Sequence, residues 1–401
     1  MMPADTASRL RAIFAPGSAA LHVAQLLNRS GYRAFCVGGA VRDAWLGGDI
    51  RDIDIATDAR PPEIIAIAGS AGIRSIRTGE IYGNVRYILN DRRIDVTSLR
   101  RDIRSDGRYP EIEFTDDLAE DAGRRDFTIN ALYSDPQGGL HDPLGILGDL
   151  RRGRVRFIGR AATRIREDYL RIVRFFRFHA QFAPPGSEPD AEAMHAVEQN
   201  LDGLRQVSRE RIGREMLRLL AVGRPEGALS AMMRTGALRR CVGAADLSGI
   251  RQMERYEIMC GLPVDAGRRL ALLGIDDPKA TLRISRAAAR RVARLRALAA
   301  ADTTLPELAY RVGARDAVDA VLLRAVARGM APDRDIIARA EQAAAQQCPV
   351  SAVDLMPAFS GRLLGDRLRK IENRWIRSEF RLSKGELLTA NAAAALPVAC
   401  R

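Results

Sequence analysis

The 401-residue sequence contains three lysines (Lys279, Lys370 and Lys384), four histidines, two tryptophans and five cysteines, and only 5% of it is aromatic. Each scarcity excludes something. The cysteines (Cys36, Cys241, Cys260, Cys348 and Cys400) are odd in number, widely scattered and lack a C-x-x-C pair. That excludes a disulfide framework or a zinc knuckle and leads us to expect a reducing, cytoplasmic setting. The histidines His22, His141, His179 and His195 show no metal-ligand spacing, and no Ser/His/Asp or Cys/His arrangement stands out. No apolar run approaches the roughly 18 residues of a membrane span, so no membrane partner is expected. Residues 1–30, with Arg9, Arg11 and Asp5 and no continuous apolar stretch, read as an amphipathic helix, not as a secretion signal.

With 47% hydrophobic and 28% charged residues, the chain can bury a sizeable core and should divide into more than one domain. Lys+Arg 63 against Asp+Glu 50 gives a formal charge of +13, which favours a polyanionic partner such as nucleic acid. Nearly all the cations are arginine, however, and the chain is rich in alanine. GC-rich coding produces that pairing whatever the function, so charge alone does not decide.

From Gly31 to about Gly159 the pattern is short β-type runs punctuated by Gly and Pro, such as "AFCVGG", "IDIAT", "NVRYILN" and "RIDVTSL". From about Ala161 it changes to long stretches of helical period, such as "EDYLRIVRFFRFHAQF", "SRERIGREMLRLLAV" and "RAAARRVARLRALAA". Breaks at Ala183–Asp190, Gly261–Gly267 and Gln346–Gly361 divide the helical part into successive subdomains. No repeat of fixed period is present.

The densest chemistry lies in "CVGGAVRDAWLGGDIRDIDIAT". A strand ending at Val37 meets Gly38-Gly39, and "AVRDAWL" then reads as a helix. Two glycines let the backbone approach a phosphate, helix-start amides donate to it, and Arg42 adds a fixed cation, although an ordinary tight turn has the same pattern. Asp52 and Asp54, two apart in a β-type run, should share one face while Ile53 and Ile55 turn to the core. Two carboxylates that close repel unless a cation lies between them, and a pair of Mg²⁺ ions could occupy that place. Asp333 and Asp335 have the same spacing but precede "IIARAEQAAA" and read as charges at a helix N-terminus. Asp95, in "RRIDVTSLR" with Ile94 and Val96 on the opposite face, could complete a three-carboxylate site if its strand is adjacent, or could be a surface acid paired with Arg93 or Arg100.

Taken in order, "VGGAVRD…DIDIAT", "TGEIYGNV", "DVTSLR", "RRDFTINALY", "HDPLGILGDLRRGRVRFIG", "REDYLRIVRFFRF" and "SRERIGREMLRLL" resemble the bacterial class II CCA-adding enzymes. These are tRNA nucleotidyltransferases of the poly(A) polymerase family within the polymerase-beta superfamily. The likeness runs from about Gly31 to Leu220 and reappears more loosely in "DLMPAFSGRLLGDRLRKIENRWI". It implies an α+β chain: a nucleotidyltransferase head with a mixed sheet (1–158), a helical neck carrying the nucleotide-selecting segment (159–240), and a helical body and tail that hold tRNA (241–401). It also implies stepwise addition of C, C and A to a tRNA 3′ end from CTP and ATP, without a template. By the match of motifs, Asp52 and Asp54 would hold Mg²⁺, and Gly39 and Arg42 would contact the nucleotide, with Gly38 beside them. Arg125 would sit at its sugar and phosphates, and Asp168, Arg171, Arg174 and Arg177 would complete the nucleotide-contacting set. Tyr82 stands where the family more usually has His.

Placed on one helix, Asp168 and Arg171 would share a face as an acceptor and a donor fork. Cytosine and adenine each carry an exocyclic amine beside a ring-nitrogen acceptor, so Asp168 would take the amine and Arg171 the ring nitrogen. Arg174 and Arg177 could follow the triphosphate away from the base. Phe175, Phe176 and Phe178 read as core, and Asp126 and Asn130 as groups that position the loop or the sugar. A poly(A) polymerase and a partial CC- or A-adding enzyme share the same head, the latter differing through loops such as Arg100–Phe114. A non-catalytic RNA-binding protein would be expected to have lost acids that are intact here. Replacing Asp52→Ala or Asp54→Ala should abolish nucleotide incorporation by a protein that still folds, and full incorporation by either variant would contradict the metal-dependent reading.

Overall fold

The computed structural model describes residues 4–50, 52–104, 111–243 and 245–392. The chain forms two compact units: Met1–Ala244 with Thr281–Arg283, and Ala245–Ala280 with Ile284–Arg401. Both stretches expected as head and neck fall in the first.

That unit begins with α1 (Ala4–Ile13), α2 (Ala19–Arg29), β1 (Ala34–Val37), α3 (Gly39–Leu46), β2 (Asp54–Thr57), α4 (Pro61–Ser70), β3 (Arg74–Gly79), β4 (Asn84–Leu89) and β5 (Arg92–Ser98). It continues through β6 (Arg100–Arg104), β7 (Glu111–Phe114), α5 (Leu118–Gly123), β8 (Tyr133–Ser134), β9 (Leu140–His141) and α6 (Leu147–Arg152). Then come α7 (Ala161–Glu167), α8 (Leu170–Phe182), α9 (Ala191–Gln199) and α10 (Arg209–Leu220). The architecture is α+β: a mixed sheet built by the first part of the chain, then helices.

Seven strands lie in the order β3-β4-β5-β2-β1-β8-β9, and β2–β5 is the parallel pair. Ile55 and Ala56 of β2 are fully buried, as a short central strand covered on both faces requires. Register aligns Tyr133, Val37, Asp54, Asp95 and Arg86 in one row across β8, β1, β2, β5 and β4. The segment expected as a loop over Arg100–Phe114 contains a paired ribbon, β6 against β7, and its middle, residues 105–110, lies outside the described residues.

A ring stack joins the sheet-bearing part to the helices that follow it. Phe127 lies 4.8 Å from Phe157 and 5.3 Å from Phe178, and Phe157 lies 5.7 Å from Phe175. The expectation that Phe175, Phe176 and Phe178 are core is met, since all three are buried. The single helix expected from Glu167 through Phe182 is instead two. Glu167 ends α7, Asp168 adopts an extended backbone (φ −157°, ψ 104°), and α8 starts afresh at Leu170.

In the second unit, the helices Ser248–Met259, Ala266–Leu272 and Ala314–Arg328 pack around an ionic cluster. Arg268 and Arg269, both at most 2% exposed, bracket Glu257. Arg268 Nη2 donates to Glu257 Oε1 at 2.8 Å, Arg269 Nη2 to Oε2 at 2.5 Å, and Arg268 Nη1 to Asp319 Oδ1 at 2.6 Å. Asp335 precedes the helix Ile336–Ala344 as its N-cap and Asp333 pairs with Arg339, in line with the reading of that D-x-D as helix-start charge. Substituting Glu257→Ala removes the acid that two buried guanidiniums share and should cost about 3–5 kcal/mol in denaturant unfolding of the full chain, whereas an unmoved midpoint would show that Glu257 contributes no stability.

Candidate active site

Because β1 and β2 are antiparallel, the end of one lies beside the start of the other, with Val37 opposite Asp54. This brings the glycine turn and the carboxylates to one end of the sheet. Gly38 has φ +78° and ψ −123°, a conformation closed to side-chain-bearing residues, while a Cβ there would meet nothing nearer than 3.7 Å. Backbone angle, not crowding, therefore demands the glycine. Arg42, in the first turn of α3 that follows, is 7% exposed. Its Nη1 donates to Asn130 Oδ1 at 2.6 Å and its Nε to Asp43 Oδ1 at 2.9 Å, while its guanidinium lies 4.2 Å from the centroid of the Phe182 ring.

Asp52 and Asp54 line the same cleft, as expected, but the strand begins only at Asp54. Asp52 and Ile53 lie just before it, so Ile55 is buried while Ile53 is only half-buried. Loss of solvation raises the Asp54 carboxyl above its ordinary value. Asp95 and Asp52 push the same way, while Arg125 and Arg86 oppose them. Asp95 is in parallel register with Asp54, so its strand is adjacent. Its carboxylate, though, is held by Arg86, with Nε at 2.7 Å and Nη2 at 2.8 Å, and neither Arg93 nor Arg100 is its partner. Among the described residues no three His, Cys, Asp or Glu side chains converge as a metal-holding group.

The cleft has a volume of about 1030 Å³, and eight arginines and four aspartates are among the residues lining it. The arginines are spaced by acids behind them. Arg125 Nη2 donates to Asp121 Oδ2 at 2.8 Å, and the Tyr133 hydroxyl donates to the same oxygen at 2.6 Å. Burial would raise the Asp121 carboxyl, but Arg125, Arg124 and Tyr133 outweigh it and hold it far below the usual range. Asp126 is likewise held down by Arg174 and Asn130 against the effect of its burial. Arg174 Nε donates to Asp126 Oδ2 at 2.9 Å, and Asn130 Nδ2 donates to Oδ1 at 3.0 Å. Arg177 Nε donates to Glu215 Oε2 at 2.5 Å, and Arg218 Nη1 to Oε1 at 3.0 Å.

Asp168 and Arg171 both line the cleft, but they do not sit on one helix face as expected, because the chain breaks between α7 and α8 at Asp168. Asp168 Oδ1 accepts from the Leu170 amide at 3.1 Å and Oδ2 from Arg211 Nη2 at 2.7 Å. Arg171 Nη1 donates to Glu167 Oε2 and to the Arg164 carbonyl at 2.9 Å. Gly39, Arg174 and Arg177 also line the cleft. Tyr82 sits in a 3-10 turn, Glu80–Tyr82, where its carbonyl accepts from Arg100. Sequence reasoning missed Arg211, Glu215 and Arg218. They recur at i, i+4 and i+7 in "SRERIGREMLRLL" with charge alternating in sign, a pattern that marks one helix face.

A family model described as "Poly A polymerase head domain" matches residues 34–156, and one described as "Probable RNA and SrmB- binding site of polymerase A" matches 188–242. The chain is 31% identical over 389 residues to the mitochondrial CCA tRNA nucleotidyltransferase 1 of Danio rerio, covering 92% of this chain and 89% of that protein. It is 35% identical over 271 residues to the CCA-adding enzyme of Bacillus pumilus, covering 67% of this chain and 66% of that one. Its structure matches that of the Bacillus stearothermophilus CCA-adding enzyme in complex with CTP at TM-score 0.69 and 27% identity, covering 94% of this chain and 97% of the other. The fold also matches the Thermotoga maritima CCA-adding enzyme complexed with tRNA at TM-score 0.68 and 17% identity, covering 97% and 98% of the two chains.

The depressed Asp121 carboxyl gives the pH dependence a definite sign. Its folded-state value lies below the unfolded one, so its contribution to stability is complete above the ordinary aspartate range, about pH 4, and is lost as pH falls below it. Asp121→Asn should lower stability at pH 7 and flatten the acid limb of a stability-versus-pH curve, and a parallel shift at every pH would refute this.

Proposed function

The chain belongs to the CCA tRNA nucleotidyltransferase family, and from that membership we propose how its cleft carries out the reaction. The protein adds C, C and A to tRNA 3′ ends, taking CTP and ATP and releasing pyrophosphate, without a nucleic-acid template. The observation that carries the residue-level reading is the meeting, in one cleft, of Asp52 and Asp54 with an arginine-lined wall and the Asp168–Arg171 pair.

The donor set fits a divalent cation. Two carboxylates at the cleft, one of them raised by loss of solvation and by its acidic neighbours, leave negative charge to be neutralised, and Mg²⁺ is commonly held by one or two carboxylates together with substrate phosphates. Asp52 and Asp54 would hold it. Bound there, Mg²⁺ ions supply a lowered pKa for the attacking hydroxyl and charge neutralisation for the leaving group. Asp95, fixed by Arg86, lies beside them as the third acid.

The tRNA 3′-oxygen attacks the α-phosphorus. The bond from that phosphorus to the bridging oxygen of the β-phosphate breaks, and pyrophosphate leaves with the electron pair. Gly38, Gly39 and Arg42 take the phosphate end beside α3, Arg125 takes the sugar and phosphates, and Arg174 and Arg177 take the triphosphate. Binding their acids with some N–H groups leaves these arginines others to offer, since a guanidinium carries five. Asp168 accepts the exocyclic amine of cytosine or adenine, and Arg171 donates to the adjacent ring nitrogen. Uracil and guanine set a carbonyl against the carboxylate, at about 1–3 kcal/mol for each unsatisfied group. In functional terms residues 1–158 act as the head, 159–240 as the neck and 241–401 as the body and tail on tRNA. No described helix is long and apolar enough to cross a membrane, and the free cysteines Cys36, Cys241, Cys260 and Cys348 suit the cytoplasm.

Incubation with tRNA transcripts ending at the discriminator base, after C and after CC, with each nucleotide supplied separately, tests this reading. The expected result is C, C, A and then arrest. Long A tails would make the protein a poly(A) polymerase, and activity on only one class of transcript would make it a partial enzyme.

A further inference from the structure

Asp168 lies outside any helix, so helical geometry does not aim its side chain. Other contacts fix it. One carboxylate oxygen accepts from the Leu170 amide at the start of α8, and the other accepts from Arg211 on α10. The backbone joint beside it is also held. The Tyr169 ring packs so close to Gly203 that a Cβ there would fall 2.0 Å from it.

The Arg211 end is equally constrained. On α10, a Cβ at Gly213 would fall 1.9 Å from the Leu282 carbonyl oxygen, so the helix rests directly on backbone there. One turn beyond Arg211 the same helix face presents Glu215 to Arg177 of α8. α10 is thus tied to the segment carrying the nucleotide contacts at two levels, base and phosphate.

Resting on the reading of Asp168 and Arg171 as the base-selecting pair, we propose that Arg211 is a specificity-setting positioning residue: it holds the Asp168 carboxylate in the one orientation that presents an acceptor edge to the base. Each carboxylate oxygen has a second lone pair, so the two anchoring bonds leave acceptor capacity facing the cleft. Without Arg211 the carboxylate keeps one anchor and can turn about its Cβ–Cγ bond. The amine of C or A then loses a preorganised partner, and the carbonyl of U or G no longer meets a fixed oxygen.

The test measures kcat and KM for CTP and UTP on a transcript ending at the discriminator base, and for ATP and GTP on one ending in CC. Wild type is compared with Arg211→Ala, Arg211→Lys and Asp168→Ala. Arg211→Ala should lower the CTP/UTP and ATP/GTP ratios of kcat/KM on the order of 10-fold, chiefly through a higher KM for the correct nucleotide. Arg211→Lys should recover most of that, since the bond uses a single N–H donor. If alanine unfolds the protein, Arg211→Met keeps the aliphatic stem and should show the same loss of discrimination. An equal loss for all four nucleotides would overturn the inference and make Arg211 a triphosphate or tRNA contact. Ratios collapsed by Asp168→Ala but untouched by Arg211→Ala would overturn it alone, while ratios untouched by Asp168→Ala would overturn the base-selection reading and this inference with it.

Discussion

Guanidinium groups crowded into one cleft repel each other, at about 4 kcal/mol for a pair 4 Å apart at an effective dielectric of 20, so something must space them. Here buried and half-buried acids do it from behind. Asp121 serves Arg124 and Arg125, Glu215 serves Arg177 and Arg218, and Glu167 serves Arg164 and Arg171. Each acid fixes the plane and position of its arginines and leaves some of their N–H groups for a ligand. At Asp54 the opposing charges are closer to even: Asp95 and Asp52 act on one side, Arg125 and Arg86 on the other, and Arg86 is engaged with Asp95. The cleft thus brings cations balanced from behind together with the carboxylates of Asp52 and Asp54.

The sheet explains why residues so distant in sequence meet. One register row carries Val37, Asp54, Asp95 and Arg86, so the strand end before the glycine turn, a cleft-lining acid, its neighbour and that neighbour's partner are spaced by strand pairing alone. The helices contribute a different kind of order, since α8 is tied to α10 through Arg177 and Glu215 and to the sheet-bearing part through its phenylalanines.

Much of this was legible in the sequence because its signals are local. The glycine turn, the acids of "DIDIAT" and the change from β to helical period all follow from spacing within a few residues. The break at Asp168 was not legible. "EDYLRIVRFF" has unbroken helical period without Gly or Pro, and the contacts that accompany the break, Asp168 with Arg211 and Tyr169 against Gly203, are remote in sequence. The Arg86–Asp95 pair depends on the register of β4 against β5, which no motif specifies. Glu215, Arg211 and Arg218 were visible as a charged face, but nothing local tells a solvated stripe from one aimed into a cleft.

Arginine has a second use in the other unit, where Arg268 and Arg269 are sealed away around Glu257 and serve cohesion, not recognition. Arginine is therefore not confined to one surface but divided between a balanced interior cluster and the cleft. One consequence lies in the near-total preference for arginine over lysine. All three lysines fall after residue 278, so the sheet and the cleft carry no side-chain amine. A guanidinium neither loses its proton in the accessible pH range nor accepts an acetyl group as an amine does. The positive charge lining the cleft is thus fixed by translation, beyond the reach of lysine-directed regulation or amine-reactive chemistry.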